Sequence, residues 1–145
     1  MTTQTLDSVP SPRLSRSVGA VLAALAVVIV LSLATDQLFH TLNVYPAWGQ
    51  AMHEPGLNLL ALSYRLVFAV LGGYVVARLA PRYPMRHAWI VGFIGLALSS
   101  AGALATIPMD MGPAWYPIAL VVTALPCTWL GGLLALRGAA LTPRP

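Results

Sequence analysis

Lysine is absent from this chain, and charged residues make up only 8% of it, against roughly a quarter in an ordinary soluble domain. So few charges cannot clothe a water-exposed surface, which excludes a soluble fold. All eight basic residues are arginines, giving a formal charge of +4. Seven of them fall in short groups at the ends of apolar stretches, and the eight form no single patch, so nucleic acid is not an expected partner. A single cysteine, Cys127, excludes an internal disulfide and a cysteine-rich metal site. It follows Pro126 inside an apolar stretch with no charged neighbour to activate the thiol, and reads as a packing residue. No HExxH or comparable ligand motif occurs, and no serine or cysteine nucleophile stands in a recognisable arrangement beside Asp36, Glu54, His40 or His53. The chain is therefore expected to be non-enzymatic and to need no cofactor.

What the chain has in quantity is apolar length, with 58% hydrophobic residues. The uncharged run from Val18 to Ala34 covers about 26 Å as a helix, close to the roughly 30 Å hydrocarbon core of a bilayer. Similar stretches run from Leu57 to Ala80, broken in the interior only by Arg65 and holding Arg78 near the end, from Ala88 to Ile107, and from Trp115 to Leu136 with Pro126 inside. The expectation is an all-α transmembrane four-helix bundle, with helices at about 18–40, 57–80, 88–107 and 115–136 in a domain spanning 18–137. Residues 1–17 are rich in Ser, Thr and Pro and read as a disordered cytoplasmic tail, and residues 138–145 as a second cytoplasmic tail. Pro126 is expected to kink the fourth helix unless a neighbour satisfies the freed carbonyl.

Orientation follows from the arginines. Arg13 and Arg16 precede the first helix, Arg78, Arg82 and Arg86 bracket the turn after the second, and Arg137 and Arg144 follow the fourth. The other two connections, Thr35 to Gly56 and Pro108 to Ala114, lack Lys and Arg but hold Asp36, Glu54 and Asp110. By the positive-inside rule both termini are cytoplasmic, as in a multi-pass protein of the bacterial cytoplasmic membrane. Phe39, Tyr45, Trp48, Trp115 and Tyr116 are then expected at the outer interface, with Tyr83 and Trp89 at the inner one. A rival reading is a secretory signal peptide, because Arg13, Arg16, the apolar run and Ser32-Leu33-Ala34 imitate one. Against it, the run exceeds the usual length, and Asp36 and His40 continue a helical pattern past the cleavage position.

Contact faces between helices in lipid are marked by small residues. Gly92, Gly95, Ser99, Gly102 and Thr106 form one stripe on the third helix, and Arg65, Ala69, Gly72, Gly73 and Val76 form another on the second. The short PRYPMR turn makes these two helices antiparallel neighbours, expected to pack stripe to stripe. Gly131 and Gly132 offer a similar close approach in the fourth.

Arg65 lies eight residues into the second apolar stretch, about 12 Å deep. A charge there normally faces the bundle interior, with a counter-ion or a water-filled cavity. Asp36, at the outer end of the first helix, is the expected partner. Glu54 and Asp110 are the other acids on that side, and Asn58 and Tyr64 are neighbours that can add hydrogen bonds. Asp36 and His40 stand four apart and share a helix face. His40 and His53 are weak candidates for metal ligands, too scattered to make a site.

The segment GGYVVARLAPRYPMRHAWIVGFIG, with its glycine pair, basic turn and glycine-rich following helix, resembles small four-helix bacterial integral membrane proteins whose function is not established. The likeness is one of architecture. Small multidrug resistance transporters are similar in size, but that family carries a glutamate within its first helix, and here no acid precedes Asp36 at that helix's outer end. The departure counts against proton-coupled drug export. Two functional readings stay open, with the lipid bilayer as partner in both and a second copy or another membrane protein as a further one. The first is a non-enzymatic accessory or interaction bundle, with Arg65 and Asp36 as an internal lock. The second is a small oligomeric transporter or a lipid- or anion-binding protein using Arg65 in an outward-facing cavity. A dry ion pair with all donors used favours the first, and a water-accessible cavity reaching Arg65 favours the second.

Overall fold

The computed structural model describes residues 12–141, with side chains from Leu14 to Ala140. Four helices follow one another: α1 Pro12–Thr41, α2 Pro55–Leu79, α3 Pro84–Thr106 and α4 Trp115–Leu141. All four are long and apolar enough to cross a membrane. Three of them run past the apolar stretches at the arginine-bearing end. α1 starts ahead of Val18, α3 starts at Pro84, and α4 continues beyond Arg137 through Ala139 and Ala140. Hydropathy marks only the part of a helix that suits hydrocarbon, whereas alanine, leucine and arginine flanks propagate it further and a proline suits its first turn. The stretches expected as tails are thus partly helical, and residues 1–11 and 142–145 lie outside the described residues.

α2 is the hub. α1 packs antiparallel on α2, touches α3 only slightly and does not meet α4. α4 is wedged against both α2 and α3. Pro126 sits within the continuous α4 on an exposed face, while Thr128, two residues on, is buried and donates its hydroxyl to Ala124 O at 2.9 Å.

α2 and α3 touch, as expected of neighbours across a short turn, but their glycine stripes serve α4 more than each other. A Cβ on Gly73 would strike the backbone of Thr128, and one on Gly131 would strike the backbone of Val70, Gly73 and Tyr74. One on Gly92 would meet the Thr128 hydroxyl, and one on Gly132 would come within 2.9 Å of Ala88. Gly72 instead faces Val28 of α1. Small-residue spacing announces a close approach without saying which helix makes it. The far end of the α3 stripe is unused, since a Cβ on Gly102 would meet nothing within 4 Å.

At the end away from the arginine turn, the 42–54 connection folds over the bundle. Val44 N and Tyr45 N donate to Phe39 O at 2.9 and 3.1 Å. Met52 N donates to Met111 O at 2.8 Å, tying this loop to the one between α3 and α4. Asn58, buried at the start of α2, donates its amide to Met52 O at 2.7 Å and Glu54 O at 2.9 Å. These bonds fix a roof over the bundle, and under that roof lies Arg65.

Candidate functional site

Three helices converge on Arg65. α2 supplies Arg65 and Tyr64 from its interior, α1 brings Asp36 from its last turns, and α4 contributes Tyr116 from its first turn. Arg65 Nη2 donates to Asp36 Oδ2 at 2.5 Å. Its Nη1 donates to the Tyr116 hydroxyl. The second carboxylate oxygen, Asp36 Oδ1, accepts from the Tyr64 hydroxyl, which in turn accepts from Tyr45 at 3.4 Å. The guanidinium carbon stands 5.9 Å from the Tyr64 ring centroid and 5.7 Å from that of Tyr116, within cation–π range. The Asp36 side chain is 10% exposed and that of Arg65 29%. The carboxylate is therefore enclosed, while the guanidinium keeps one side open.

That open side faces space. A cavity of about 350 Å³ lies beneath the loop roof, lined by Asp36, His40, Tyr45, Asn58, Arg65 and Tyr116 among others. Its size falls in the range of small-molecule pockets, roughly 300–1,000 Å³. Below it, a second and more apolar cavity of about 220 Å³ is lined by all four helices and again by Arg65. No other residue lines both. A guanidinium offers N–H groups at Nε and at both Nη atoms. Here one on each Nη is used, and Nε and the second N–H of each Nη have no protein acceptor among the described residues. The Tyr116 hydroxyl accepts from Arg65 and keeps its own proton to donate.

The other expected site residues are placed as follows. His40 lines the upper cavity, its ring 4.1 Å from that of Trp48 and edge-on to Tyr45 at 5.6 Å. Its Nδ1 is buried without a hydrogen-bond partner, alone in that among the described side chains. Asn58 reaches the cavity wall but spends its amide on the loop and not on Arg65. Glu54 is exposed at the N-cap of α2 and does not join the cluster. Asp110 stays outside too, 3.9 Å from His53 Nε2 on the surface, with both side chains well exposed. His40 and His53 are not brought together, and no group of three or more metal-ligating side chains occurs among the described residues.

Tyr116 and Tyr45 are the functional candidates that sequence reasoning placed elsewhere, as interfacial aromatics. Tyr116 has only a weak signal, a phenol one residue into a helix that starts on the acidic side. Tyr45 has none, because the loop that carries it could fold either toward or away from the bundle. Burial pushes the Tyr45 hydroxyl above its ordinary pKa of 10.0, with the Tyr64 hydrogen bond acting the other way and nearby Asp36 adding to the rise. Comparison with protein-family models, curated proteins and solved structures finds no match for this chain.

Proposed function

We propose that this chain is a non-enzymatic, multi-pass protein of the bacterial cytoplasmic membrane, with both termini in the cytoplasm, that binds a small ligand at the Arg65–Asp36 centre. The arginine asymmetry supports the orientation, and the four apolar helices support the membrane setting. One observation carries the binding reading: a membrane-depth guanidinium stands in the wall of a cavity with N–H groups that no atom of the described residues accepts. A purely structural lock would use those donors internally, because unpaired polar groups in a low-dielectric interior are costly. The accessory-bundle reading keeps the ion pair in its favour, since Asp36, Arg65 and Tyr116 tie three helices together.

The test is a thermal-stability screen of the detergent-purified protein against chemically varied small polar and amphiphilic compounds. Ligands that bind only the folded state raise its apparent stability, by about 2.7 kcal/mol at a hundredfold excess over Kd. A stabilising compound class is expected for the wild type, with no response from a folded Asp36→Leu/Arg65→Leu variant. A screen in which no compound stabilises the wild type, or in which both proteins respond alike, refutes ligand binding at this centre.

A further inference from the structure

Arg65 is the one residue that lines both cavities, and the two differ in chemistry. In the lower one, Leu25, Val28, Ile29, Leu66, Leu98 and Leu120 supply an apolar lining. Ser32 and Ser99 add two hydroxyls to the wall, while the threonine hydroxyls are spent on their own helix, Thr123 on Ala119 O at 2.6 Å and Thr128 on Ala124 O at 2.9 Å. Apart from Arg65 it holds no charged group. Ile29 of α1 and Leu98 of α3 are 49% and 59% exposed on its rim, so the cavity opens sideways between the two helices that barely touch. Such a mouth faces hydrocarbon in a membrane.

The head of the site sets the ligand's charge. Asp36 and Arg65 neutralise each other, so an anionic head would sit beside the carboxylate as a third, unpaired charge at membrane depth, and a cationic head would meet the guanidinium. Both carboxylate oxygens already accept a hydrogen bond. Next to the ion pair the unspent groups, Arg65 N–H and the Tyr116 O–H, are donors, and the unpartnered His40 Nδ1 adds one polar atom to the wall above them. Resting on the ligand-binding reading above, we propose that the occupant is a neutral amphiphile with a carbonyl head that accepts from Arg65 and Tyr116 and a hydrocarbon tail in the α1–α3 cavity; a membrane quinone has this chemistry.

The experiment titrates purified wild-type protein in bicelles with three probes: a decyl-substituted benzoquinone, the same quinone head without its tail, and decanoate. Binding is read by thermal stabilisation. Gly95→Leu fills the lower cavity without touching the head site, because a Cβ there meets only Ala124 Cβ at 4.0 Å. Leu98→Trp, at the exposed rim, blocks the same space by a second route, and Tyr116→Phe removes one head donor. Saturable binding of the tailed quinone is expected, weakened about tenfold or more by either blocking variant and several-fold by Tyr116→Phe. Tighter binding of decanoate overturns the neutral head and leaves ligand binding at Arg65 standing. Equal binding of the tail-less head, or indifference to both blocking variants, overturns the tail's placement. If none of the three probes binds, this ligand class is refuted, while the broader screen separately decides whether the centre binds anything.

Discussion

Removing one member of the Arg65–Asp36 pair should harm the protein far more than removing both. With Asp36→Leu, Arg65 is left inside the bundle without its counter-ion, and the Tyr64 hydroxyl loses its acceptor. Breaking a buried pair costs about 3–5 kcal/mol. The residual 29% exposure of the Arg65 side chain to the cavity places this case near the lower bound, about 3 kcal/mol. The orphaned phenol adds up to about 1 kcal/mol. Arg65→Leu strands the more deeply enclosed Asp36 carboxylate and should cost about as much. Replacing both by leucine leaves no unpaired charge, and buried pairs exchanged for apolar residues are commonly neutral or stabilising, so the double variant should lie within about 1 kcal/mol of wild type. The single losses sum to about 6–8 kcal/mol, so nearly all of that sum should appear as non-additivity. Reversible unfolding in bicelles by titration with sodium dodecyl sulfate, followed by circular dichroism, measures all four proteins. A double variant as unstable as the sum of the singles would refute the reasoning, because the two charges would then act independently.

Three other outcomes are expected. Gly131→Ala should lose at least about 2 kcal/mol in the same unfolding assay, since its Cβ meets backbone that cannot move aside, whereas Gly102→Ala should stay within about 0.5 kcal/mol; equal losses would contradict the packing of α4 on α2. Tyr45→Phe should cost about 1 kcal/mol near neutral pH. Because the folded-state pKa of Tyr45 is raised, its contribution is complete below the unfolded value of 10.0 and declines as pH rises through the folded one, so the gap between variant and wild type should narrow above about pH 10; a constant gap speaks against the burial of this hydroxyl. In a Cys127→Ala background, a cysteine at Met109 should react with a membrane-impermeant maleimide on intact cells, and one at Arg82 only after permeabilisation; the reverse pattern inverts the topology.

The fold was legible wherever hydrocarbon dictates sequence. Uncharged stretches revealed four helices, and the cost of a charge at depth singled out Arg65 and pointed toward Asp36, the acid nearest in depth. Local chemistry reached less far. The helices' extra turns at the arginine-bearing end carry no hydropathic signature. Glycine stripes on α2 and α3 signalled close contact, but Gly73 and Gly92 both meet Thr128, a partner that only the assembled bundle identifies. Tyr116 reaches Arg65 across 51 residues of chain, and Tyr45 arrives on a loop whose path is set by bonds to Phe39 O and by its tie to Met111. Asn58 shares a helix face with Arg65 yet spends its amide on the loop carbonyls of Met52 and Glu54. The cavities were invisible to sequence, being properties of how side chains fail to fill space.

The central claim is that the Arg65–Asp36 centre holds a ligand and is not merely a lock. Native mass spectrometry of the protein released from bicelles, run beside the Asp36→Leu/Arg65→Leu variant once that variant is shown to be folded, tests it most directly. The wild type should retain a small-molecule adduct of defined mass that the double variant lacks. Identical spectra for the two proteins, with the double variant as stable as wild type, would contradict it.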